Sequence, residues 1–95
     1  MLLTEPEVHR AVGVFKALAN EVRVKALLAI HESKRPLHIT AVAKILGIEY
    51  AALYRHIKIL TQCGLLLSYD VGRSQVLALN QGERVIQLLD ISKQF

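Results

Sequence analysis

Between Gly47 and Gly64 the chain holds side chains of the kinds that read a polyanion's edges and backbone, spaced to share one side of a helix. Leu53, Ile57 and Leu60 recur at four and three residues and make an inner stripe, with Ile59 at its flank. The 100° step per residue then turns Tyr50, Ala51, Tyr54, Arg55 and Lys58 outward or to the flanks. An arginine fork matches guanine O6 and N7 or a phosphate, and alanine or a tyrosine ring can meet a thymine methyl. Lys58, further along the helix, is placed for the sugar-phosphate backbone. Lys44, a few residues upstream, is a second candidate for phosphate. Arg73, with Ser74 beside it, follows Gly72 and so sits on a narrow, exposed turn. These eight residues, Lys44, Tyr50, Ala51, Tyr54, Arg55, Lys58, Arg73 and Ser74, are the candidate DNA-binding set.

The charge distribution agrees with that set. The 95 residues carry a net +4, and all of the excess lies between Lys34 and Arg73, where six cations face two anions. The rest of the chain balances six cations against six anions. A segment of one sign raises the local concentration of a polyanion. Lys34 and Arg35 are also explained as cations complementing the end of a helix dipole.

Catalysis finds no support. No motif brings a nucleophile, an acid and a base together, and Gly-x-Ser-x-Gly, a phosphate-binding loop, paired metal ligands and dinucleotide glycines are all absent. His56 lies beside the inner stripe and is read as a hydrogen-bonded packing residue. His9, His31 and His38 have no partner at i+3 or i+4 and are read as surface or satisfied histidines. The single cysteine, Cys63, forms no internal disulfide and is read as a half-buried, inert thiol. No cofactor is expected.

The elements that must position these side chains follow from periodicity. A length of 95 residues and a hydrophobic share of 53% suit one folded domain rather than a disordered tail. Val8, Ala11, Val12, Phe15, Leu18 and Ala19 form the stripe of a first helix, with Thr4 as N-cap, Pro6 early and Glu7 in the first turn. Asn20 caps a second helix, apolar almost all round, that runs to about Ser33 before Pro36 breaks the chain. Thr40 is expected to cap a short third helix through Val42, Ala43, Ile45 and Leu46, which stops at Gly47. A fourth begins near Glu49 and ends at Gly64, so the third and fourth outline a helix-turn-helix. Leu65, Leu67 and Tyr69 alternate, a polar turn spans Asp70 to Ser74, and Gln75 to Leu79 alternates again, which predicts a β-hairpin with Gly72 at its tip. Val85, Ile86, Leu88, Leu89 and Ile91 give a terminal helix a broad apolar face. The longest apolar run, Ala26 to Ile30, is far short of a bilayer span, and Glu5 and Glu7 precede any signal-like stretch. A cytoplasmic, soluble chain with no membrane partner is the expectation.

Two stretches resemble the ArsR-like winged helix-turn-helix repressors. Gly47 to Leu60, with its Arg55-His56-Ile57-Lys58-Ile59-Leu60 run matching "R-H-[LI]-K-x-L", followed by Cys63-Gly64-Leu65-Leu66, looks like that family's recognition helix and first wing strand. Phe15 to Arg23 is similar to its "L-S-D-P-T-R" approach to the second helix, with Asn20 at the capping position and Arg23 at the arginine. The similarity covers roughly Val14 to Asn80, and MarR-like proteins share the general plan. It implies a mainly α fold with a small hairpin, α1-α2-α3-α4-β-β-α5, one domain over residues 1–95, and a recognition helix at about 49–63 with a wing at about 70–75. The first and last helices carry more apolar surface than one small domain hides, so they are expected to form a two-fold dimer interface, as the resemblance also implies. The resulting expectation is a homodimeric regulator of transcription, a repressor, on a pseudo-palindromic operator in double-stranded DNA. The alternative is a winged-helix protein-interaction adaptor that binds no DNA. Metal sensing of the family's kind lacks its ligands. Ala41-Val42-Ala43 stands where a Cys-x-Cys is needed, and Asp90-Ile91-Ser92 keeps the acid of an Asp-x-His but not the imidazole.

Overall fold

A computed structural model describes all residues, 1–95. Its elements are α1 (Glu5–Leu18), α2 (Glu21–Ser33), β1 (Leu37–His38), α3 (Ile39–Leu46), α4 (Tyr50–Gln62), β2 (Leu66–Val71), β3 (Ser74–Leu79) and α5 (Gly82–Ser92). No helix is long and apolar enough to cross a membrane.

The helix starts are set by local chemistry. Thr4 and Glu7 form a reciprocal capping box: the Glu7 N–H donates to Thr4 Oγ1 at 3.3 Å and the Thr4 N–H donates to Glu7 Oε1 at 2.9 Å. Asn20 Oδ1 accepts from the Arg23 N–H at 3.1 Å and opens α2. Thr40 does not cap α3. The helix begins one residue earlier, at Ile39, with His38 at the N-cap and no side-chain cap bond. Ile39 is buried, so packing draws the first turn in before the hydroxyl is reached. Gly47 (φ 66°) closes α3 in the left-handed region that other residues enter only at a cost, and a three-residue turn leads into α4.

The hairpin is longer than its polar residues suggest. Asp70, Val71 and Ser74 belong to the strands, and only Gly72 and Arg73 make the turn, with Val71 paired to Ser74. Gly72 has φ 62° while Arg73 stays negative, the pattern of a type II′ turn. A third strand, β1, was not expected. It pairs antiparallel to β3 through Leu37↔Leu77 and His38↔Val76, giving the order β1-β3-β2. Two residues are too few to show an alternation, and their partner lies far along the chain.

The core is a single apolar cluster that includes Leu27, Val42, Leu53, Leu60, Leu66 and Leu77, drawn from α2, α3, α4 and the sheet, with no buried charged or polar side chain. Burying each such side chain contributes about 1.5–3 kcal/mol. The terminal helices reach it through few residues, Ala17 and Val85, with Val14, Leu18 and Leu89 packed against it. Only Ala17 of α1 and Val85 of α5 are buried, the first ten residues are all exposed, and the molecule is elongated at 46 × 26 × 21 Å.

Candidate nucleic-acid interface

The inner stripe of α4 is fully engaged: Leu53, Ile57 and Leu60 are buried. That fixes which side of the helix faces out. Ala51, Arg55 and Lys58 are exposed, as is Tyr50 at the first turn, while Tyr54 is half-buried at the flank and packs on the core. Tyr50 and Tyr54, four residues apart, stack with ring centroids 6.2 Å apart and planes inclined by 19°. Lys58 Nζ lies 5.7 Å from the Tyr54 centroid. The three side chains form a ladder along one flank, each contact worth about 0.5–1 kcal/mol at an exposed site. It orders Tyr50 from below, so the ring at the helix N-terminus is held before any ligand arrives.

Lys44 is exposed in the last turn of α3 and shares a shallow groove with Gly47, Ile48, Glu49 and Tyr50, at the junction of the two helices. The wing presents Arg73 on its turn, exposed, with Ser74 half-buried at its base. The Ser74 hydroxyl is 2.9 Å from His38 Nδ1, so β1 anchors the wing to the start of α3. Ser74 thus has a structural partner, and His38 is a supporting residue that its isolated position in the sequence did not reveal.

His56 turns away from the exposed face. Its Nδ1 is 3.2 Å from Nη1 of Arg23, a part-buried contact between α4 and α2. Burial, then the guanidiniums of Arg23 and Arg55, hold its pKa below the ordinary value of 6.5. Arg23 reaches further, since its Nε donates to the Ala17 carbonyl at 2.6 Å and its Nη2 to the Lys16 carbonyl at 3.3 Å. The Cys63 thiol is half-buried and donates to the Gly13 carbonyl at 3.3 Å. No three His, Cys, Asp or Glu residues are grouped to hold a metal, and Asp90 is paired with Lys93 at 2.9 Å.

On the terminal helices, Val8, Val12 and Phe15 of α1 and Leu88 and Ile91 of α5 are exposed. Between them runs a groove of about 500 Å³ lined by Phe15, Leu18, Val24, Leu28, Ile86, Leu88 and Leu89 among others. Contiguous exposed apolar surface of this kind is characteristic of interaction sites.

No protein-family model matches the sequence, and no curated protein matches it. Solved structures do match in three dimensions. HlyU from Vibrio cholerae superposes with a TM-score of 0.78 at 25% identity, over 90% of this chain and 94% of that one. The transcriptional regulator HlyU from Vibrio vulnificus gives 0.72 at 26%, covering 90% of each. A homodimeric winged helix-turn-helix DNA-binding domain from Mycobacterium bovis, described as "a possible ArsR-family transcriptional regulator", gives 0.81 at 18%, over 97% of this chain and 88% of that one. In architecture the chain is a winged helix-turn-helix, the fold that the resemblance of its Gly47 to Leu66 stretch implied.

Proposed function

We propose that the chain is a homodimeric transcriptional regulator, a repressor, that binds a specific double-stranded DNA site in the cytoplasm. The observation that carries this reading is the division of α4 into a buried stripe and an exposed face bearing Tyr50, Ala51, Arg55 and Lys58. A helix so held enters a major groove by its N-terminal half, with Arg55 and the Tyr50–Ala51 turn at base edges and Lys44 and Lys58 at phosphates. Arg73 on the wing reaches the neighbouring minor groove or its phosphates, with Ser74 behind it. The matched HlyU and M. bovis proteins, respectively a transcriptional regulator and a homodimeric DNA-binding domain, support the same assignment here.

Two copies meeting through α1 and α5 form one unit from residues 1–95 and set the two recognition helices about 34 Å apart, one helical turn, on a pseudo-palindromic operator. Bound there, the dimer occludes polymerase. The test is selection of duplexes from a random pool by the purified chain, followed by affinity measurements across a salt series. A two-fold symmetric consensus, bound with an affinity that falls steeply with salt, supports the reading. No duplex binding even at low salt overturns it in favour of a protein-interaction adaptor.

A further inference from the structure

We propose that Arg23 and His56 are positioning residues for the recognition helix, tying α4 to the C-terminal end of α1 through a contact that requires a neutral imidazole. This inference rests on the DNA-binding reading above and adds to it a pH-sensitive device.

One guanidinium joins three helices. From the first turn of α2, Arg23 donates to the last-turn carbonyls of Lys16 and Ala17 in α1 and, with Nη1, meets His56 Nδ1 on α4. Among residues Tyr50 to Gln62 this is the only side-chain hydrogen bond to another element; the next residue, Cys63, adds its own to Gly13 of α1. The apolar stripe sets which face of α4 turns to the core, and these directional polar contacts tie that orientation to α1. His56 is adjacent to Arg55, so a turn of the helix that breaks the contact also re-aims the guanidinium offered to DNA. In a dimer built on α1, the same contact sets how far apart the two recognition helices stand.

Arginine carries only donors and stays protonated, so Nδ1 of His56 must accept, which places the ring proton on Nε2. Protonation puts a second N–H where the acceptor was. The charged groups facing the ring are Arg23 from α2 and Arg55 from α4 itself, and Lys16 of α1 lines the same groove beside Arg23 and the Cys63 thiol. Partial burial, then the Arg23 and Arg55 guanidiniums, favour the neutral ring in the folded chain. A folded pKa below the unfolded one means that the contact is complete above the ordinary histidine range and is lost as pH falls through the depressed value.

The test compares the wild type with His56→Ala and His56→Asn, whose amide oxygen can accept near the Nδ1 position. Binding of the selected duplex and of a scrambled duplex is measured at about pH 7.5 and at a pH below the ring's own titration as followed by nitrogen NMR. Their ratio is the readout, because a protonated ring also adds sequence-independent attraction. The wild-type ratio is expected to fall roughly fivefold on acidification, the worth of one hydrogen bond. His56→Ala shows the low ratio at both pH values, His56→Asn the high ratio at both, and the salt slope is the same in all three because no phosphate ligand is lost. A wild-type ratio in His56→Ala at about pH 7.5, a pH-independent wild type, or an acid-sensitive His56→Asn overturns the inference. Nitrogen NMR of the DNA-free chain gives an independent reading. A neutral ring protonated on Nε2 is expected, and one protonated on Nδ1 overturns the contact. Failure of the parent reading looks different, with no duplex bound by the wild type at any pH while the ring still carries its proton on Nε2.

Discussion

Replacing Phe15 with glutamate separates the exposed apolar face of α1 from the rest of the fold. The residue is 59% exposed in the single chain. A phenylalanine presents about 200 Å² when free, so roughly 120 Å² of it remains uncovered. Burial of that area in a dimer is worth about 3 kcal/mol at ~25 cal/mol/Å². Two-fold symmetry places the residue twice in the interface, for an upper figure of about 6 kcal/mol, and half of that if the partner covers half of each ring. Phe15→Glu is therefore expected to weaken dimerisation by at least about a hundredfold. Within the monomer it contacts little that is buried, so thermal stability at monomer concentrations should change little. Sedimentation equilibrium across micromolar concentrations measures the shift. Ile45→Glu, on α3 and equally exposed at 60%, is the control and should leave the dimer intact. A Phe15→Glu chain that sediments as the wild-type dimer, or a control that dissociates equally, refutes the assignment of α1 to the interface.

Arg55→Ala is expected to cost on the order of 1–3 kcal/mol at the selected operator and relax preference at one base position, whereas Lys44→Ala should weaken all duplexes alike and lower the salt slope by about 1; anisotropy titrations distinguish the two. Leu53→Ala removes a fully buried side chain facing the core cluster and should cost about 2–5 kcal/mol of folding stability in urea or thermal unfolding, with loss of DNA affinity only as a consequence of unfolding. Hydrogen bonds from the Thr4 backbone and hydroxyl hold the Glu7 carboxyl below the ordinary 4.5, so this capping box contributes stability above the unfolded carboxylate range and loses it as pH falls through the depressed value. Glu7→Gln, which removes the titrating carboxyl, should therefore flatten the acid limb of the stability profile, read by thermal unfolding at several pH values.

Much of this architecture is legible from local pattern. The stripe of α4, the Thr4 and Asn20 caps, and the glycines at 47, 64 and 72 all act within a few residues of themselves, and each takes the place its spacing predicts. What escapes is set at long range. β1 exists because Leu37 and His38 find Leu77 and Val76, some forty residues on, and α3 starts where Ile39 is buried rather than where Thr40 offers a hydroxyl. The candidate site divides the same way. Outward placement of Arg55 and Ala51 follows from the helical step, as does the inward turn of His56. The Tyr50–Tyr54–Lys58 ladder is implicit in their four-residue spacing. Arg23 as the joint of three helices is invisible, because its carbonyl partners and its imidazole partner meet only in the folded chain. The first helix shows why a stripe alone is ambiguous: Val8, Val12 and Phe15 are periodic, yet the single chain leaves them exposed.

On the proposed function, the outer face of α4 and the wing are the surface DNA meets. Amide chemical-shift mapping of the labelled chain, titrated with the selected duplex at low salt, tests it most directly. The largest shifts are expected at Tyr50 to Lys58, Lys44 and Gly72 to Ser74, with the exposed faces of α1 and α5 little changed. Shifts centred on Phe15, Leu88 and Ile91 with α4 unmoved, or none at saturating duplex, contradict it.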